Sequence, residues 1–308
     1  MSTVEGVGTP APVATAPPAR FGAPTRGQSS QLRAVWREFA RNRLAVLGAV
    51  VVVLLYGLAV VAPNVAPQDY RAFNAGQPLK APSAEHWFGT DRQTRDVFSR
   101  VLVASQVSLS VGLVSVLLIT GIGVSLGALA GAVGGRVDET IMRFTDIVLA
   151  IPQLFLLIAA VALFTPSLTT TMVVIGLTSW MSTARLVRGE FLRTRSLDFV
   201  LAARALGAST GRIVVRHLLP NALAVIIVQS TLWLSFAILL ESSLSFLGLG
   251  VQPPTPSWGG MLADGRVDMQ RAWWETVFPG MAIFITVLAF NLVGDGLRDA
   301  LDPRQRNR

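Results

Sequence analysis

Long apolar runs alternate with short polar segments along most of this chain. A helix needs about 20 predominantly apolar residues to cross a bilayer, and these runs reach that length. One run is too long for a single crossing and is interrupted at Thr165-Pro166-Ser167, so we divide it into a third and a fourth helix, the fourth being rich in Thr and Ser. The pattern predicts six transmembrane helices, within residues 44–68, 101–135, the two parts of 147–184, 220–240 and 276–294.

Composition agrees with a protein that lies in a membrane. Of the 308 residues, 52% are hydrophobic and 14% are charged, whereas soluble domains carry about a quarter of charged residues. The mean hydropathy is +0.55. We therefore expect an all-α, polytopic membrane protein with six transmembrane helices.

Basic residues are distributed unevenly across the six predicted helices. If both termini are cytoplasmic, the inner segments hold nineteen Lys and Arg residues and the outer loops hold seven. The positive-inside rule favours this orientation. A net charge of +8 would suggest nucleic-acid binding in a soluble protein, but here topology explains it, and we expect no nucleic-acid partner.

The segment before the first apolar run has two parts. Residues 1–31 are rich in Pro and Ala, which cannot build an apolar core, so we expect a disordered cytoplasmic tail. The next residues, 32–43, place Leu32, Val35, Trp36 and Phe39 on one side among arginines, the pattern of an interfacial helix. We group residues 32–100 as this helix, the first transmembrane helix and an outer loop, and residues 101–305 as the membrane core.

A basic segment between the fourth and fifth helices, LAARALGASTGRIVVRHLLP at 201–220, predicts a helical elbow. Ser196 or Asp198 can cap a first helix, Gly207 can end it in the left-handed conformation, and Ser209 or Thr210 can cap a second helix that runs to Leu219. Candidate coupling residues for docking a partner protein on this elbow, 196–220, are Ala202, Ala203, Arg204, Gly207, Leu219 and Pro220.

Two other interpretations of the elbow stay open from the local pattern. It could be an amphipathic connector on the bilayer surface, or a DNA-reading helix-turn-helix, which the flanking transmembrane helices disfavour. The sequence has no Cys, two His residues that the topology separates, and no hydrolase or phosphate-loop motif. We therefore expect no catalytic residue, no metal and no cofactor in this chain, and any ATP must be handled by another subunit.

Candidate functional signals within the predicted membrane segments are sparse. Gly123, Gly127 and Gly131 recur every four residues, which lets another helix pack closely. Pro152 should kink the third helix. Glu241 is the one carboxylate beside a long apolar run, and it is either a group of the translocation pathway or an interfacial residue.

Several segments resemble a known family. The elbow is similar to the signature loop of the permease subunits of binding-protein-dependent ABC importers, with Leu201 in place of the usual Glu. The segments HWFGTDRQTRDVFSR, RFTDIVLAIPQLF, ARLVRGEFL, SLSFLGLGVQPPTPSWGGMLADGR and NLVGDGLRDALDPR resemble the C-type subunit of the dipeptide, oligopeptide and nickel permease group. The resemblance spans about residues 32–305, and Thr94 stands where that group has Gly.

This resemblance implies the type I permease fold of ABC importers, in a bacterial plasma membrane. It implies that the chain pairs with a homologous B-type permease and that two ATPase subunits holding ATP and Mg²⁺ dock beneath the two permeases, with the elbow in a groove on one ATPase. It also implies that an extracytoplasmic solute-binding protein delivers cargo to outer loops such as 253–258. The cargo stays open among di- or oligopeptides, nickel, glutathione and other small solutes. A secondary transporter would be expected to show inverted repeats and paired intramembrane carboxylates, which we do not find in the sequence.

Overall fold

Helices make up nearly all of the regular structure. This computed structural model describes residues 28–72 and 77–301, and in these ranges the one extended pairing is an isolated bridge between Thr90 and Asp96. In chain order the helices are α1 (Gln28–Arg41), α2 (Arg43–Val65), α3 (Val97–Val133), α4 (Gly135–Leu149), α5 (Gln153–Ala162), α6 (Leu168–Ser179), α7 (Met181–Arg195), α8 (Asp198–Ala205), α9 (Thr210–Ile213), a π-helical turn (Val214–Leu218), α10 (Leu219–Phe246), α11 (Trp258–Gly265) and α12 (Trp274–Leu301).

The first helix begins earlier than the sequence predicts. α1 starts at Gln28, whereas we expected a helix over 32–43 and assigned 28–31 to the disordered tail. Gln is a good helix former and Ser is tolerated near a helix start, so the helix extends over these residues. Residues 1–27 of the predicted tail and 302–305 of the predicted core lie outside the ranges given above.

The helix inventory agrees with a polytopic membrane protein. Besides the four long helices named below, α4 and α5 form a bent pair, which makes a fifth crossing if the two are one span. α6 has 12 residues and continues into α7 after Trp180. The predicted all-α class is confirmed for the described ranges, and the count of six crossings is consistent with this set. Four helical stretches there are long and apolar enough to cross a bilayer on their own: Arg43–Val65, Val97–Val133, Thr210–Phe246 and Trp274–Leu301.

The third predicted transmembrane helix is broken rather than mildly kinked. α4 and α5 meet at 89°, and the break between them consists of residues 150–152. Pro152 lacks an N–H and sterically opposes helix continuation. α5 has 10 residues. α4 instead lies against α7, to which it is joined by the ion pairs Arg188–Asp138 and Arg185–Asp146, the latter at 2.6 Å.

The glycine ladder of α3 faces α7 of the same chain. A Cβ on Gly123 would lie 2.6 Å from Thr183 Cβ, and one on Gly131 would lie 2.6 Å from Phe191 Cβ. A Cβ on Gly127 would lie 2.9 Å from Val187 Cβ and still closer to a backbone carbonyl oxygen of α7. The three glycines thus let two helices approach more closely than any side chain would allow.

Candidate functional site

The elbow consists of two short helices joined by a tight turn. Gly207 has a φ of +83°, its N–H donates to Arg204 O at 3.0 Å, and the N–H of Ala208 donates to Ala203 O at 3.0 Å. This is the Schellman arrangement that ends a helix at a glycine. The predicted turn at Gly207 is therefore present in the structure. Ser209 then caps α9, because its Oγ accepts from the N–H of Arg212 at 3.4 Å.

Two local details of the elbow differ from expectation. Neither Ser196 nor Asp198 caps α8, since Leu197 occupies the cap position with no side-chain hydrogen bond. The second helix does not stop before Pro220 either. A π-helical turn leads from α9 into α10, and Pro220 lies in the first turn of α10, where a missing N–H is tolerated. Leu219 and Pro220 therefore connect the elbow to a long helix instead of ending it.

One side of the elbow is anchored in the protein core. Val200, Ile213 and Leu218 are each no more than 3% exposed, and they belong to a cluster with Phe191 of α7 and Ala222 of α10. Burying these side chains stabilises the position of α8 and α9 relative to the transmembrane helices. The elbow therefore packs directly against α7 and α10.

The other side of the elbow is uncovered. Leu206 is 88% exposed and Val215 is 68% exposed, and Ala202 is also exposed, while Ala203 is half-buried. The exposed basic side chains beside them make no ion pair within the described residues; these are Arg204, Arg212 and Arg216. An apolar surface with adjoining positive charge is suited to an apolar pocket with an acidic rim on another protein.

Glu241 lies inside the chain rather than at its surface. Its side chain is fully buried, and its carboxylate accepts hydrogen bonds from Ser108 Oγ at 3.0 Å and Ser245 Oγ at 2.8 Å. Ser108 Oγ also accepts from the N–H of Trp258 at 3.3 Å. The carboxylate thus connects α3, α10 and α11. It does not face an open passage within this chain, and it is not at the interface with solvent.

A largely buried network of charges at the amino-terminal end of α3 was missed in the sequence analysis. Asp91 pairs with Arg95 at 2.7 Å and with Arg100, and Arg100 also lies 3.6 Å from Asp264 of α11. Buried charges require such partners. The i,i+4 spacing of Asp91 and Arg95 and an arginine at the start of an apolar run were the available signals. No sequence signal indicated the contribution of Asp264, which is far away along the chain.

Two residues of the predicted outer loops, Trp258 and Thr94, have environments that the sequence did not reveal. Loop 253–258 does not end in an exposed aromatic tip, because Trp258 is 1% exposed and its indole N–H donates to Val101 O at 3.0 Å. Residues 253–255 of this loop remain exposed. Thr94 has a φ of +64°, in the left-handed region that glycine favours, which is a physical reason to expect a glycine at this position.

Comparison with known families now adds to this geometry. The family described as "binding-protein-dependent transport system inner membrane component" matches residues 123–307, a range that includes the elbow and α10 to α12. The chain belongs to this family. A second family, the amino-terminal transmembrane domain of oligopeptide transport permease C, matches residues 30–82, which contain most of α1 and all of α2.

Similar proteins of this permease family cover nearly the whole chain. A dipeptide transport system permease protein DppC of Alkalihalophilus pseudofirmus is 42% identical over 278 residues, 90% of this chain and 91% of the relative. An oligopeptide transport system permease protein OppC of Bacillus subtilis is 40% identical over 282 residues, covering 90% and 92%. A glutathione transport system permease protein GsiD of Escherichia coli is 45% identical over 270 residues, covering 87% and 89%.

Family membership confirms the resemblance found in the sequence. The chain is an inner-membrane permease of a binding-protein-dependent transport system, and its relatives are transport subunits rather than enzymes. The apolar helices agree with a multi-pass position in the membrane. The departures from the expected family pattern at Leu201 and Thr94 therefore do not exclude the chain from the family.

Proposed function

We propose that this chain forms the translocation pathway of an ATP-driven peptide importer together with a second, homologous B-type permease. In this proposal two separate ATPase subunits bind ATP and Mg²⁺, and an extracytoplasmic solute-binding protein delivers the cargo. The observation that carries the proposal is the elbow, anchored by Val200 and Ile213 on one side and exposing Leu206 on the other, within a chain of the permease family.

The elbow residues take distinct roles in this proposal. Ala202 and Ala203 keep α8 thin so that an ATPase subunit approaches closely, and Arg204 faces acidic groups of that subunit. Gly207 sets the angle between the two short helices. Leu219 and Pro220 join the elbow to α10, so that movement of the ATPases reaches the transmembrane helices. ATP drives transport only if it binds more tightly to one of two permease conformations than to the other.

We propose that both termini and the elbow are cytoplasmic, which rests on the excess of basic residues on that side. Because the native chain has no Cys, single cysteines can test this without background labelling. Thr255 and Leu206 are exposed and suit the purpose, whereas Ser257 is buried and caps α11. A membrane-impermeant thiol reagent applied to intact cells should label Thr255→Cys and spare Leu206→Cys.

The outcome that contradicts this orientation is labelling of Leu206→Cys in intact cells together with protection of Thr255→Cys. Permeabilised cells provide the control, since both variants should react there to a similar extent. A variant that fails to react after permeabilisation would indicate that its cysteine is covered, and a second exposed position on the same side, Gln270→Cys or Arg212→Cys, then replaces it.

Di- or oligopeptides are the cargo that we propose, because two of the named relatives are dipeptide and oligopeptide permeases. Glutathione is the second candidate, and it is favoured by a relative with 45% identity. Proteoliposomes containing this permease, its homologous partner and the two ATPases should take up a labelled dipeptide or oligopeptide when the solute-binding protein and internal ATP are supplied. Uptake of glutathione or nickel with no uptake of peptides would refute the peptide assignment.

A further inference from the structure

One face of α1 carries a row of positive charges. Arg33, Arg37 and Arg41 follow each other at intervals of four residues, so they project from one side of the helix. All three are exposed in the structure. Arg41 lies 3.4 Å from Glu38 of the same helix, and none of the three forms an ion pair with another helix within the described residues. The row is therefore available to a ligand of negative charge.

The opposite face of α1 packs against the end of α12. Phe39 is 7% exposed and clusters with Ala45 and Ala300, and Val35 packs against the same cluster. This packing fixes which way the arginines point. Trp36 lies between the packed face and the arginine row, is 70% exposed, and stacks on Phe39 at a ring distance of 6.1 Å.

The position of α1 along the chain places this face at a membrane surface. α1 ends at Arg41, and α2, which is apolar enough to span a bilayer, begins at Arg43. Leu44 and Leu47, in the first two turns of α2, are 61% and 55% exposed, as is expected of side chains that face lipid. An exposed tryptophan beside basic residues at such a junction is typical of the region of lipid headgroups.

We propose that α1 is a binding site for anionic phospholipid headgroups, with Arg33, Arg37 and Arg41 contacting phosphate groups and Trp36 lying at headgroup depth. Arginine donates several hydrogen bonds in a planar arrangement that suits phosphate oxygens. Basic residues next to a transmembrane helix attract anionic lipids, and their contributions accumulate with the number of charges.

Native mass spectrometry of the full-length chain tests this directly. Phosphatidylglycerol and phosphatidylcholine are added separately, at equal concentration, to the delipidated protein in detergent, and bound lipids are counted. The native chain should bind phosphatidylglycerol about tenfold or more tightly than phosphatidylcholine. Arg33→Gln/Arg37→Gln/Arg41→Gln should lose that preference, and the corresponding triple Lys variant, which keeps the charge, should retain most of it.

A matched control removes the same number of charges elsewhere. Arg71, Arg266 and Arg271 are exposed in the outer loops, and Arg71→Gln/Arg266→Gln/Arg271→Gln should keep the native preference for phosphatidylglycerol. Retention by the triple Lys variant distinguishes lost binding from lost folding. The proposal is overturned if the native chain shows no preference, if the α1 Gln variant keeps it, or if the control variant loses it to the same extent.

Discussion

Gly123→Val is expected to destabilise the folded chain strongly and to lower the amount of folded protein that is recovered. The first added carbon would lie 2.6 Å from Thr183 Cβ and 2.9 Å from the backbone oxygen of Trp180, and backbone cannot move aside as a flexible side chain can. Overpacking of this kind costs about 3 kcal/mol, which lowers the ratio of folded to unfolded protein by about a hundredfold. The amount of monodisperse protein recovered in detergent measures the effect.

Gly121→Val is the matched control for this prediction. Gly121 lies two residues away on the same helix, on the opposite side, and a Cβ there would meet nothing within 4 Å. The two variants have the same composition and differ only in the face of α3 that carries the valine. Equal recovery of both would mean that close packing of α3 against α7 is not needed for folding.

Leu206→Glu is expected to abolish most ATP-driven uptake while leaving the permease intact. The side chain is 88% exposed, so its replacement should change the free energy of unfolding by no more than about 0.5 kcal/mol. Burial of a leucine in a partner contributes about 1.5–3 kcal/mol, so losing it should weaken docking of the ATPase subunits by about tenfold or more. Retention of the ATPases on purified permease and uptake by proteoliposomes measure the two effects.

Val267→Glu gives the comparison for Leu206→Glu. Val267 is 63% exposed and lies in the loop between α11 and α12, which we place on the opposite side of the membrane from the elbow. The same type of substitution there should leave the ATPases bound at the native level. If Leu206→Glu retains the ATPases and supports uptake at the native rate, the elbow is only a connector.

Features that depend on nearby residues could be predicted from the sequence. The long apolar helices, the turn at Gly207 and the cap at Ser209 all follow from hydropathy or from the backbone preferences of one residue type. Pro152 indicated a kink for the same kind of reason, but not a break of 89°. The elbow was likewise apparent from its spacing. These features are local, since each is determined within a few turns of the residue concerned.

Features that depend on distant residues could not be predicted in the same way. Asp264 lies far along the chain from Arg100, and only the tertiary fold brings them within 3.6 Å. Trp258 follows a proline-rich loop and resembles an exposed tip, but the adjacent α3 supplies both a packing surface and an acceptor at Val101 O. Glu241 is buried because serines from separate helices supply its hydrogen bonds.

The most direct test of the central claim is cross-linking from the elbow in the assembled transporter. A short photo-activated cross-linker attached to Leu206→Cys should form an adduct with an ATPase subunit, and the yield should change when ATP is added. The same reagent on Thr255→Cys, in the opposite loop, should give no ATPase adduct. Absence of an ATPase adduct from Leu206→Cys in a complex that retains its ATPases, or equal adducts from both positions, would contradict the proposal that the elbow is where ATP hydrolysis is coupled to transport.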